Sequence, residues 1–225
     1  RMRPLTNDRP KPLIEVGGRT LLDHAIDRFK AAGVRFIVVN VHYKGEMIIA
    51  HLKKRTDVEI HIQDERDLLL DTGGALKRAL PHFKGEPFFT YNSDSIWLES
   101  FGSNLLRMAQ RWDDAEMDCL MLMAATFSSI GYDGPGDFNM DAVGRLTRRQ
   151  QHRVTPFGWP GVQIIHPRLV EKGPDGVFST NRLWDIAIED GRLFGLRLDG
   201  KWMHVGTPEA KEEADRYLSQ RHKVP

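Results

Sequence analysis

Four cations, Arg1, Arg3, Arg9 and Lys11, face one anion, Asp8, within the first eleven residues, and Pro4, Pro10 and Pro12 stiffen the backbone that presents them. Positive charge on a restrained chain suits a polyphosphate, because Arg offers a planar fork of donors and Lys a compact charge. The same residues also describe a basic, proline-rich tail on which Lys11 is merely solvated. Farther along, Asn92-Ser93-Asp94-Ser95 follows the apolar run Pro87-Phe88-Phe89-Thr90-Tyr91. A carboxylate just past the carboxyl end of a strand lies on the ligand-binding edge of an open α/β sheet, where one oxygen ligand suits Mg²⁺. An ordinary Asx turn is the competing reading. Leu70-Asp71-Thr72-Gly73-Gly74 puts two glycines at a helix start, which lets backbone come close to a ligand, although glycine pairs also mark turns of every kind.

These residues need elements to hold them. Leu21, Leu22, Ala25, Ile26 and Phe29 recur at helical spacing after Thr20, a candidate N-cap, and Gly33 follows as a stop. The run Phe36-Ile37-Val38-Val39-Asn40-Val41 reads as a strand buried on both faces. Further helices are expected at 45–54, 73–80, 105–111, 181–189 and 208–219, and strands at 58–62, 87–91, 118–125, 161–166, 193–198 and 202–205. The glycine-rich stretch 131–151 reads as a hairpin or flap. Alternating helix and strand predict an α/β chain folded as one domain over residues 1–225.

Composition narrows the function. A net charge of +1 is too balanced for a general nucleic-acid binder. No apolar run long enough to span a membrane occurs, and no secretory h-region is visible, so no membrane partner is expected. The single cysteine, Cys119, reads as a core residue and fits a reducing, cytoplasmic setting. The nine histidines show no zinc spacing.

The blocks Arg1-Met2-Arg3-Pro4-Leu5-Thr6 and Pro10-Lys11-Pro12-Leu13 resemble the signature of the sugar-1-phosphate nucleotidyltransferases, in which R-M-x-P-x-T is followed by P-K-x-L. Leu70-Asp71-Thr72-Gly73-Gly74-Ala75-Leu76 is similar to that family's nucleotide-binding turn, and Trp202-Met203-His204-Val205-Gly206-Thr207-Pro208-Glu209 to its W-x-D-V-G-T-P-E. The resemblance implies a Rossmann-like, three-layer nucleotide-diphospho-sugar transferase fold with a mostly parallel mixed sheet. In the family a strand and a glycine-rich loop come just before the arginine, and the expectation is that both are missing ahead of Arg1. A sheet without that strand would expose a slot between two buried strands, at about 1–3 kcal/mol for each ladder group left unpaired.

The resemblance also implies roles. Arg1 would hold the β and γ phosphates of a nucleoside triphosphate, and Lys11 the α-phosphate or the attacking sugar phosphate. Asp71, Thr72, Gly73 and Gly74 would bind the nucleotide, letting backbone approach base and ribose. Asp94 would carry Mg²⁺. His204 stands where relatives place a second metal-binding aspartate; imidazole is a better ligand for Mn²⁺ than for Mg²⁺, and a half-buried, hydrogen-bonded histidine is the competing reading. Asn139, Gly161 and Asn181 would line the sugar pocket, whereas Trp184 at helical spacing with Ile188 reads as core. The form of the glycine turn resembles the subgroup that uridylylates N-acetylmuramate 1-phosphate in cell-wall recycling, with UTP as donor. Mannose-1-phosphate guanylyltransferase chemistry is the alternative, and the partner expectation is a monomer or weak dimer. A nucleotide-sugar-dependent glycosyltransferase, or a non-catalytic module on the same fold, is further from these motifs.

Overall fold

The computed structural model describes residues 2–221, so Arg1 lies outside the described residues. A basic loop ends in a 3-10 turn at Lys11–Leu13, and a hairpin of β1 (Glu15–Val16) and β2 (Arg19–Thr20) leads into α1 (Leu21–Ala31). Then come β3 (Phe36–Val41), α2 (Gly45–Leu52), β4 (Glu59–Asp64), α3 (Asp71–Ala79), β5 (Phe88–Tyr91), β6 (Ser95–Glu99) and α4 (Asn104–Arg111). The second half runs β7 (Cys119–Ala125), β8 (Phe138–Met140), β9 (Leu146–Arg148), β10 (Phe157–Gly158), β11 (Val162–Ile165) and α5 (Pro167–Glu171). It closes with α6 (Asn181–Glu189), β12 (Leu193–Arg197), β13 (Gly200–His204) and α7 (Pro208–Arg221).

Local chemistry explains α1. The Thr20 hydroxyl accepts the Asp23 N–H at 3.0 Å and donates to the Asp23 carboxylate at 2.8 Å, a cap worth about 1 kcal/mol. Leu21, Leu22, Ala25, Ile26 and Phe29 are buried on one face as their spacing requires. Gly33 then takes a left-handed φ of 88° to end the helix.

The α/β architecture and mixed sheet are as expected, but the parallel share is smaller. β3 with β4 and β7 with β12 are the parallel pairs among the described strands. β11 runs back antiparallel between β5 and β7, and the order continues through β10, β8 and β9. The glycine-rich stretch is thus a hairpin of β8 and β9 docked on β10. β3 is also less buried than its composition suggests. Ile37 and Val41 are buried, while Phe36, Val38, Val39 and Asn40 are not, because its edge opposite β4 is unpaired among the described strands.

One hydrophobic cluster packs α1, α2 and α4 onto the sheet, a second gathers β7, β11, α5 and α6, and a smaller third holds Met2, Ile14, Ile96 and Val205 together. Asp118, 1% exposed, pins the base of β7 to two guanidinia: Arg168 Nε at 2.6 Å and Arg192 Nε at 2.8 Å. Burial pushes its carboxyl up, but the two arginines outweigh that and hold it below the usual carboxylate range.

Candidate functional site

The basic loop reaches the carboxyl edge of the sheet because both of its ends are fixed. Met2 is 4% exposed within the third cluster. Between the ends, the Tyr43 hydroxyl donates to the Thr6 carbonyl at 3.3 Å and Lys44 Nζ to the Asn7 carbonyl at 2.7 Å. Lys11 follows Pro10 in the 3-10 turn, with Pro12 next to it. Its ammonium lies 2.9 Å from Asp94 Oδ2, across 83 residues of sequence. The two side chains are 29% and 36% exposed, so the pair opens to solvent.

Asp94 sits in the turn between β5 and β6. Its carbonyl accepts the Val205 N–H at 3.1 Å, just past β13, and β13 pairs antiparallel with β6. The Tyr91 hydroxyl donates to the Ser95 carbonyl at 2.7 Å. Burial pushes that phenol above its ordinary range, so it stays protonated and keeps the turn closed.

The glycine turn uses its glycines differently from the expectation. The N–H groups of Gly73 and Gly74 both donate to the Phe178 carbonyl, at 2.8 and 3.1 Å. A Cβ on Gly73 would sit 2.3 Å from the Phe178 ring, and one on Gly74 2.2 Å from the Gly176 carbonyl oxygen. What approaches these glycines is the chain's own 176–178 segment. That approach seats Thr180, whose N–H donates to the Thr72 hydroxyl at 3.0 Å. Asp71 is exposed, with a left-handed φ of 58°, and its carboxylate accepts the Thr72 N–H at 2.5 Å.

Thr72 and Thr180 line one end of a cavity of about 520 Å³ that also touches Asn92, Ser93 and Trp159. The other end is apolar and runs between β3 and β5, each paired on one edge alone among the described strands.

The three residues expected at the sugar pocket each have a distinct partner. Gly161, with φ of 84°, takes its backbone against Asn92: a Cβ there would lie 2.7 Å from the Asn92 Cβ, and the Gly161 carbonyl accepts the Asn92 N–H at 2.8 Å. Its close approach is therefore to the turn that carries Asp94. Asn181 opens α6 and accepts from Arg148 at 2.9 Å, while Asn139 is exposed on β8 opposite Thr147. Trp184 is 5% exposed, edge-on to Trp159 at 4.6 Å, and donates to Gln163 Oε1 at 2.8 Å; it is core, as its spacing predicts.

His204 pairs in register with Ser95 rather than Asp94. Its ring lies near Tyr132 and Trp202, and a Cβ on Gly206 would meet its Nε2 at 2.7 Å. No group of three or more His, Cys, Asp or Glu side chains forms a metal cluster among the described residues. A partly exposed Asp94 carboxylate still fits Mg²⁺, which typically takes one or two carboxylates and completes its shell with phosphates and water.

Further polar groups lie near the glycine turn, among them the run Gln63-Asp64-Glu65, where the resembled subgroup also carries an acid. Gln63 and Glu65 are buried, at 5% and 1% exposure, and Gln63 Nε2 donates to Glu65 Oε1 at 2.6 Å and to the Ala75 carbonyl at 3.1 Å. Gln63 lies in β4 and Glu65 just past its end. Thr180 carried no signal in the sequence, because its place depends on the packing of Phe178 on Gly73. The Tyr132 hydroxyl accepts the Gly136 N–H at 3.1 Å and steadies the loop before β8.

A family profile described as "Nucleotidyl transferase" matches residues 1–129, more than half of the chain. The N-acetylmuramate alpha-1-phosphate uridylyltransferase of Caulobacter vibrioides is 42% identical over 224 residues, covering 98% of this chain and 93% of its own. A mannose-1-phosphate guanyltransferase of Candida albicans is 30% identical, and this chain spans 59% of its length. Among solved structures, HddC of Yersinia pseudotuberculosis superposes with a TM-score of 0.75 at 20% identity, covering 96% of this chain and 94% of its own. A putative glucose-1-phosphate thymidylyltransferase of Bacillus anthracis superposes at 0.80 with 14% identity, covering 100% and 91%. These two likenesses concern the fold. Among the described residues, no helix is long and apolar enough to cross a membrane.

Proposed function

The chain belongs to the nucleotidyl transferase family, and from that premise we propose that it transfers the uridylyl group of UTP to N-acetylmuramate 1-phosphate. A phosphate oxygen of the sugar attacks the α-phosphorus, the bond to the β-phosphate breaks, and pyrophosphate leaves. The choice of UTP and N-acetylmuramate 1-phosphate is supported by the 42% identity, nearly end to end, with an enzyme of that name. The chemistry is supported by one observation above the others: a lysine on a proline-framed turn meets a strand-end aspartate at 2.9 Å.

Two anions must approach in line, so positioning and charge neutralisation provide most of the catalysis. In this reading Lys11 turns from Asp94 to the α-phosphate, and Asp94 holds Mg²⁺. The metal would supply positive charge that neutralises the phosphates. Arg1, outside the described residues, takes the β and γ phosphates. Asp71 and Thr72 face the nucleotide, with Gly73 and Gly74 acting through the 176–178 segment that they let in. Asn139, Gly161 and Asn181 belong to the sugar side, and His204 supports the turn after β13 rather than ligating metal directly. The reaction would serve peptidoglycan recycling in the cytoplasm, within one domain acting as a monomer or weak dimer.

The test is pyrophosphate release by the intact protein given Mg²⁺, UTP and N-acetylmuramate 1-phosphate. Turnover supports the reading. Silence with that pair but turnover with GTP and mannose 1-phosphate would transfer it to the guanylyltransferases.

A further inference from the structure

Three hydrogen-bond donors converge on two consecutive residues of the turn between β5 and β6. The Asp94 carbonyl accepts the Val205 N–H at 3.1 Å. The next residue, Ser95, is 1% exposed and is held from two sides. The Tyr91 hydroxyl, at the end of β5, donates to the Ser95 carbonyl at 2.7 Å, and the Trp202 indole N–H, on β13, donates to the Ser95 hydroxyl.

Both aromatic donors are themselves fixed. The Tyr91 ring stacks on Trp97 at 5.4 Å and stands edge-on to Phe29 at 5.6 Å. The Arg28 guanidinium lies 4.2 Å from the Trp97 ring centre and pairs with Glu99 at 3.0 Å. Trp202 is 3% exposed, with its ring 5.0 Å from that of Tyr132. A phenylalanine at position 91 would keep both ring contacts, so the phenol oxygen contributes the bond to Ser95. Taking a hydroxyl out of water costs free energy unless it is hydrogen-bonded, and Ser95 supplies that partner.

Such restraint matters most where the proposed reaction assigns a single carboxylate to the metal. With no second protein ligand to keep the ion in register, the backbone that carries the first must fix its place. We propose that Tyr91 and Trp202 are positioning residues for Asp94: by holding Ser95 through its carbonyl and its hydroxyl, they set the carboxylate where it meets the metal. This rests on the reading in which Asp94 holds Mg²⁺.

Two small substitutions separate the two contacts. Tyr91→Phe removes one donor and keeps the ring; Ser95→Ala removes the acceptor of the Trp202 N–H and keeps the indole. The affinity for Mn²⁺ in the presence of UTP and without sugar phosphate, read from water-proton relaxation, tests both without turnover. Each variant should bind Mn²⁺ about tenfold more weakly, the lower end of the cost of losing a group that orients a metal ligand. The loss should depend on the carboxylate: added to Asp94→Asn, Tyr91→Phe should change the affinity by less than about twofold, since nothing is left to position. In turnover the single variants should raise the KM for Mg²⁺ more than they lower kcat. Unchanged Mn²⁺ affinity in both single variants would overturn the proposal. So would a loss in Tyr91→Phe that persists in full in the Asp94→Asn background, which a merely structural role would give. An Asp94→Asn protein that binds Mn²⁺ as tightly as the unmodified one would instead remove Asp94 from the metal, and with it the reading on which this proposal stands.

Discussion

Replacing Gly74 by alanine sets two physical effects against each other. In a helix interior, alanine is favoured over glycine by about 1 kcal/mol, so propensity alone predicts a more stable protein. The structure predicts the reverse. The new methyl would lie 2.2 Å from the Gly176 carbonyl oxygen, with Leu70 Cβ at 3.2 Å behind it. A backbone oxygen cannot swing aside as a side chain can. The 176–178 segment must therefore move, stretching both hydrogen bonds to the Phe178 carbonyl. Overpacking of this kind costs about 1–3 kcal/mol and occasionally more. Placed at the upper end because backbone is struck, and reduced by the propensity gain, it leaves a net loss of about 1–2 kcal/mol. For a chain of this size that is a fall in Tm of about 2–8 °C. Thermal unfolding of Gly74→Ala beside the unmodified protein is the assay. Unchanged or raised Tm with a higher KM for nucleotide would refute the reasoning, since it would mean that the space serves a ligand and not the chain.

Lys11→Ala should lower kcat about a hundred- to a thousandfold, the cost of losing one preorganised donor at a developing charge. An ion pair this exposed adds at most about 1 kcal/mol to stability, so its Tm should stay within about 4 °C; a normal rate would remove Lys11 from the mechanism. Asp94→Asn should depress activity in a way that excess Mg²⁺ only partly restores, measured as pyrophosphate release against metal concentration, and full activity in EDTA would contradict that. Acid should destabilise the fold in two stages. Burial holds the His24 and His166 imidazoles below their ordinary range, so their contribution is complete above the unfolded value of about 6.5 and declines as pH falls through their folded values. The depressed Asp118 carboxyl keeps its contribution above about 3.9 and loses it at lower pH still. His24→Gln, followed by Tm between pH 7 and 5, should flatten the first stage, and an undiminished slope would be the contrary result.

Much of this arrangement was legible in the chain. Thr20, the apolar stripe from Leu21 to Phe29 and Gly33 fixed α1 from cap to stop because each acts through near neighbours. The pairing of Lys11 with Asp94 was readable as two halves of a site, though not as a contact. β6 was missed because Ser95 follows Asn92-Ser93-Asp94, and turn chemistry there hid a strand whose partner, β13, lies a hundred residues away. The 73–74 glycines could be placed at a helix start from the sequence, whereas the 176–178 segment that packs on them could not. A bare backbone shows that something must come close, and only packing shows that Phe178 and Gly176 do. The half-buried state of β3 has the same origin, since burial depends on which strands flank it and not on its own composition.

In the proposed reaction Lys11 and Asp94 together hold a triphosphate and its metal. A crystal structure of the intact protein with UTP and Mg²⁺ tests it most directly. Lys11 Nζ should leave its 2.9 Å contact with Asp94 for a phosphate oxygen, while an Asp94 oxygen coordinates the metal. A triphosphate bound elsewhere, with the Lys11–Asp94 pair intact, would contradict it.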